Sequence, residues 1–135
     1  MNLANQKRTG LQNLLTNNWI LSSKKPLIDF SEISKMLYGD EKFIKEFSEA
    51  AVISFSEFQE NYIQFLLQRD EENFRKAGHK IKPVAQMLNL DQILKEYEHG
   101  KTLLWEEKMD EELKASAQRI ETICNEVIAE LNEKT

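Results

Sequence analysis

Glycine and proline are scarce, with four and two residues in a chain of 135. A loop-rich sandwich or a disordered low-complexity chain uses far more of both, so this composition points to helices. The single cysteine, Cys124, excludes an intrachain disulfide framework and any metal site built from cysteines alone. No apolar run approaches the roughly 20 residues that span a bilayer, and the N-terminal stretch has no signal-peptide core, so a cytoplasmic protein without membrane contact is expected. Basic side chains number 18 against 23 acidic ones, and the net charge of -5 disfavours a phosphate backbone as partner. Nucleic acid is not expected. Histidine is scarce too: only His79 and His99 occur, so any histidine mechanism has two candidates.

What is present suits one domain with a real core, since 41% of the residues are hydrophobic and 30% charged. Residues 1–27 read as an N-terminal extension, although Leu11, Leu14, Leu15 and Trp19 recur at helical spacing and suit a short docking helix. Residues 28–135 are regular. Asp29 followed by Glu32 has the form of a capping box opening a short helix, with Ile33, Met36 and Leu37 as its apolar stripe and a stop near Gly39. Asp40 then caps a long helix that runs to Gln68, with Ile44, Phe47, Ala51, Phe55, Phe58, Tyr62 and Phe65 on one face. Asp70 opens a third helix with Phe74, Ala77, Ile81, Ala85 and Leu88 on its core face, which Asn89 can end in the left-handed conformation.

Asp91 is the expected cap of a fourth helix through Ile93, Leu94, Tyr97, Lys101 and Leu104, interrupted by Gly100. Asp110 is the expected cap of the last, where Leu113, Ala117, Ile120, Cys124, Val127 and Leu131 form an unbroken stripe. No segment alternates with the period of a strand. Four long amphipathic segments with very short connections predict an all-α fold, an antiparallel up-down-up-down four-helix bundle with a short leading helix.

The chemistry concentrates in the third helix. At about 100° per residue, His79 falls nearly opposite the stripe from Phe74 to Leu88 and should face water. Arg75, Lys82 and Gln86 stand four residues before, three after and seven after it, so they share its face. The strip is basic in an acidic protein. A neutral imidazole offers a nitrogen lone pair as a nucleophile, and a lysine one turn away can balance a phosphoryl group's charge. On these physical grounds alone the commoner reading is still an ordinary surface histidine in a solvated basic strip.

His79-Lys80-Ile81-Lys82, preceded by Phe74 and Ala77 and followed by Met87-Leu88-Asn89-Leu90, resembles the histidine phosphotransfer (HPt) domain, with its His-x-x-Lys-Gly signature and a later Leu-Gly. The resemblance covers about residues 28–104. It extends to Ile28-Asp29-Phe30 and to Tyr38-Gly39-Asp40-Glu41-Lys42-Phe43-Ile44, which look like the family's opening helix and turn. Such domains are four-helix bundles that accept a phosphoryl group on one exposed histidine and hand it to an aspartate. By resemblance His79 is the phosphoacceptor and Lys82 the lysine that steadies the phosphoryl group, with Gln86 and Arg75 on the flanks of the site.

The implied partners are response-regulator receiver domains and a hybrid sensor histidine kinase. The implied chain is a monomeric phosphocarrier rather than an enzyme, with no cofactor of its own and with Mg²⁺ supplied by the receiver. Two positions depart from the pattern. Pro83 replaces the glycine after the lysine, which removes a helical hydrogen bond and predicts a kink, and Asn89 replaces the later glycine. Sensor-kinase dimerisation helices also pair an exposed histidine with a proline, but five residues on and with an acidic residue directly after the histidine. Here the spacing is four and Lys80 follows. With no Gly-rich nucleotide-binding region, self-phosphorylation from ATP is not expected.

Pro83 also leaves open an alternative, a helical binding module that docks receivers or other signalling proteins without being phosphorylated. Other candidates carry less. His99 beside Glu96 and Glu98 reads as a solvated polar face rather than a metal site, and Cys124 as a small core residue. Trp19 and Trp105 lie outside the clearest stripes.

Overall fold

The structure, a computed structural model, describes residues 25–135, and within them five helices and no strand. They are α1 (Ser31–Met36), α2 (Glu41–Leu67), α3 (Glu71–Met87), α4 (Asp91–Trp105) and α5 (Asp110–Asn132). The expected docking segment with Leu11, Leu14, Leu15 and Trp19 lies outside the described residues. No described helix is long and apolar enough to cross a membrane.

Two of the expected caps form. The Asp40 carboxylate accepts from the Lys42 and Phe43 N–H groups, and that of Asp70 accepts from Asn73 N–H. The others differ. Asp91 and Asp110 are the first residues inside their helices, where a carboxylate complements the helix dipole without capping it, and Leu90 and Met109 hold the cap positions. Asp29 accepts from Ser31 N–H, so it forms a local turn instead of a capping box with Glu32. Met36 is exposed, because α1 is too short to bury more of its stripe than Ile33.

Helix ends solve a problem that scarce glycine creates. Tyr38, Arg69, Asn89 and Glu107 all take positive φ, between 55° and 58°, just past the ends of α1 to α4. After α2, Asp70 N–H donates to Phe65 C=O and Arg69 N–H to Leu66 C=O, and the same two-bond pattern follows α3 and α4. Each helix therefore stops abruptly and turns within a few residues.

α2 packs against α3 and α5, and α4 also packs against α3 and α5, which closes a ring of helix contacts around one core. The stripes read from the sequence supply it: Phe55, Phe58, Tyr62, Phe74, Ile81, Ile93, Leu113, Ile120 and Leu131 are all buried. Fully burying each large apolar side chain contributes about 1.5–3 kcal/mol. An aromatic row runs through this core, with ring centroids 5.6 Å apart for Phe58 and Tyr62, 4.8 Å for Tyr62 and Phe74, and 5.3 Å for Phe74 and Tyr97. Gly100 faces the row, so the residue that interrupts the α4 pattern is a packing requirement.

Residues 25–30 form a strap. Leu27 and Ile28 N–H donate to the two carboxylate oxygens of Glu130 on α5 at 2.8 and 2.9 Å, and Asp29 N–H donates to Leu88 C=O at 3.1 Å. Ile28 is buried beneath it.

Candidate functional site

α3 is anchored from within by Phe74, Ala77, Ile81 and Ala85, and that anchoring fixes which residues it turns outward. His79, Arg75, Lys82 and Gln86 are all exposed, as their helical phase predicts. By that phase His79 points roughly 150° away from the centre of the buried stripe. Gly78 faces Tyr97, so α4 lies on the side where Arg75, Lys82 and Gln86 project. Lys80 projects toward α2, where its Nζ lies 3.5 Å from Glu57 Oε1.

The cations of this strip are not equivalent. Lys80 is paired with Glu57, and Lys76 with Glu72 at 3.4 Å. Arg75 and Lys82 have no ion pair among the described residues. Their charge remains available to an incoming anion on the same face as the imidazole. None of the five best-formed cavities among the described residues is lined by His79, Arg75, Lys82 or Gln86. A depression between α2 and α3, lined by Ser54, Glu57, Phe58, Asn61, Ala77, Lys80 and Ile81, is too small for a substrate. Such a face suits contact with another macromolecule rather than capture of a small molecule.

Pro83 lies within α3 and does not end it. Lacking an N–H, it leaves the His79 carbonyl without its helical donor. Gly78 and Tyr97 were not apparent as site residues from the sequence, because nothing in their spacing pairs them. In the fold a Cβ at Gly78 would overlap the Tyr97 ring, so the absence of a side chain lets α3 rest directly on that ring. The Tyr97 hydroxyl reaches 3.3 Å from the Arg75 carbonyl oxygen and donates to it.

The second histidine is differently placed. His99 is exposed, but Glu96 beside it is not a solvated carboxylate. Glu96 turns inward, where Ser116 Oγ donates to its Oε2 at 2.7 Å and the Arg119 guanidinium binds both oxygens at 2.9 and 3.1 Å. Burial would raise the Glu96 carboxyl, but the hydrogen bonds from Arg119 and Ser116, helped by the Arg119 charge, outweigh it and hold it below its ordinary range. Tyr62 joins this network, its hydroxyl 2.8 Å from Glu96 C=O and 2.7 Å from Ser116 Oγ. Glu96 thus ties α2, α4 and α5 together. Among the described residues no group of three or more His, Cys, Asp and Glu is disposed to hold a metal ion. Cys124 is fully buried and burial pushes its thiol up to about 12, which leaves no thiolate nucleophile.

Trp105 stands out at 73% exposure, at the end of the fold where α4 gives way to α5. Compared with protein-family models, with curated proteins and with solved structures, the chain matches none.

Proposed function

We propose that this chain is a phosphorelay intermediate of the histidine phosphotransfer type, in which His79 accepts a phosphoryl group from a receiver-domain aspartate and passes it to another receiver. One observation carries the reading: the exposed imidazole of His79 shares a helix face with Arg75 and Lys82, two cations that have no ion pair among the described residues. The helix contacts and the short connections 68–70, 88–90 and 106–109 support an antiparallel up-down-up-down bundle with α1 leading into it. α3 is then one rigid wall of that bundle.

In the transfer, a ring nitrogen of His79 attacks phosphorus in the aspartyl phosphate. The bond to the aspartate oxygen breaks, a nitrogen–phosphorus bond forms, and the carboxylate leaves with its electron pair. Lys82 balances charge on the phosphoryl oxygens, and Arg75 and Gln86 border the approach. The receiver's acidic pocket brings its own Mg²⁺, so the chain acts as a carrier without a cofactor of its own, between a hybrid sensor kinase and a response regulator in the cytoplasm.

Incubation with a phosphorylated receiver tests this. Wild type should gain an acid-labile, base-stable phosphate and His79→Gln none. Equal labelling of the two would sink the proposal, and receiver binding without phosphoryl movement, unaffected by His79→Ala, would select a non-phosphorylated docking module instead.

A further inference from the structure

Two features of α3 act on the same turn from opposite sides of His79. Pro83 removes the donor that would hold the His79 carbonyl, so the helical ladder is open one turn after the imidazole. One turn before it, the Arg75 carbonyl is the helical acceptor for the His79 N–H, and that carbonyl also accepts from the Tyr97 hydroxyl at 3.3 Å. Tyr97 itself is fixed. Its ring stacks on Phe74 at 5.3 Å, Lys101 Nζ covers it at 5.1 Å, and Gly78 lies against it with no room for a Cβ.

We infer that Tyr97 is a positioning residue for His79, bracing from α4 the helical turn that Pro83 loosens, with Gly78 as the gap that lets the brace reach the backbone. The inference rests on the phosphotransfer reading for what the position is used for, and on geometry alone for the brace. Transfer between two macromolecules needs the ring nitrogen in line with the phosphorus. A misplacement of about 1 Å can cost roughly a hundredfold in rate, so a loosened turn under the acceptor has to be held by something outside the helix. Tyr97 contributes nothing to the chemical step. Its ring lies against Gly78, about 100° round α3 from His79, and its hydroxyl touches the backbone rather than the imidazole.

Tyr97→Phe in the full chain separates this from mere packing, because it keeps the ring and removes only the hydroxyl. Two readouts follow the variant: amide hydrogen exchange at His79, and transfer from a phosphorylated receiver over a range of receiver concentrations. The loss of one hydrogen bond should speed His79 amide exchange and lower the saturating transfer rate, each roughly fivefold, with the half-saturating concentration unchanged. Amides of α5 should keep their protection. Unchanged exchange at His79 overturns the brace, and so does uniform acceleration across all helices or an effect on half-saturation alone.

Gly78→Ala supplies the second arm. It should force α3 off the ring, slow transfer and lower thermal stability, and adding Tyr97→Leu should restore the stability without restoring the rate. Wild-type rate in the double variant overturns the inference. The exchange measurement uses no receiver, so a wild-type chain that no receiver phosphorylates would end the phosphorelay reading while leaving the brace to be judged by exchange alone.

Discussion

Arg119 on α5 grips the Glu96 carboxylate of α4 with two parallel hydrogen bonds, Nε to Oε1 at 2.9 Å and a terminal nitrogen to Oε2 at 3.1 Å. The pair spans two helices, and Ser116 extends it to Tyr62 on a third. Glu96→Gln keeps the shape but loses the charge, and leaves Arg119 facing a neutral amide. The expected cost is about 1–3 kcal/mol at pH 7. The pH dependence has a definite sign. The folded Glu96 carboxyl lies below its ordinary 4.5, so its contribution is complete above that value and is lost as pH falls through the lower folded one. Urea unfolding of wild type and variant should therefore differ most at pH 7 and converge as the pH falls below the ordinary value of 4.5 and through the lower folded one.

Lys82 and Lys80 stand two residues apart on one helix, yet among the described residues only Lys80 has an acidic partner, Glu57. On the phosphotransfer reading, Lys82→Ala should lower the saturating transfer rate about tenfold, because an uncommitted cation near the phosphoryl oxygens is lost. Lys80→Ala should have a smaller effect. Both side chains are exposed, so neither substitution should shift the unfolding midpoint appreciably. Equal rate losses for the two would show that charge on this face acts only through general attraction.

The core was legible from the sequence because each helix stripe needs only its own residues to be read. Phe74, Ala77, Ile81, Ala85 and Leu88 are all buried as their spacing requires, and the outward position of His79 follows from theirs. Asp40 and Asp70 were legible for the same reason, since a cap bonds to residues two or three positions along. What the sequence conceals depends on two helices at once. Glu96 looks like a surface carboxylate beside His99 until α5 brings Arg119 and Ser116 to it. Gly78 looks incidental until α4 places the Tyr97 ring against it. The hydroxyl of Ser48 is a further case: it is fully buried with no hydrogen-bond partner among the described residues, and although it stands at stripe spacing between Ile44 and Ala51, its polar side chain does not mark it as core.

Glu107 occupies a left-handed position, φ 55°, after α4, and its side chain is exposed. A non-glycine residue there carries strain of about 1 kcal/mol that glycine avoids. Glu107→Gly should therefore raise the unfolding free energy by less than that, at most about 0.5 kcal/mol, because the greater freedom glycine gives the unfolded chain offsets part of the relief. Asn89→Gly, at φ 58°, should gain less, because asparagine tolerates this region better than glutamate. A stability ranking by urea titration with Asn89→Gly above Glu107→Gly would contradict the assignment of strain to side-chain type.

Gly100→Ala sets two effects of opposite sign against each other. Alanine in place of glycine inside an exposed helix would stabilise by about 1 kcal/mol. Here the added methyl would lie 2.7 Å from Phe74 Cζ and 2.8 Å from the Tyr62 hydroxyl, and neither can withdraw freely. Phe74 is wedged between Tyr62 and Tyr97, and the Tyr62 hydroxyl is held by Glu96 C=O and Ser116. Overpacking of a fixed core costs about 1–3 kcal/mol, so the net change should be destabilising. Tyr62→Phe removes the oxygen that the methyl meets, together with its contacts to Glu96 C=O and Ser116 Oγ. Gly100→Ala and Tyr62→Phe should then be less than additive when combined, with a coupling of about 0.5 kcal/mol or more in a double-mutant cycle. Strict additivity would mean that α4 moves away from α2 and α3 to make room, and that the contact at Gly100 does not set their spacing.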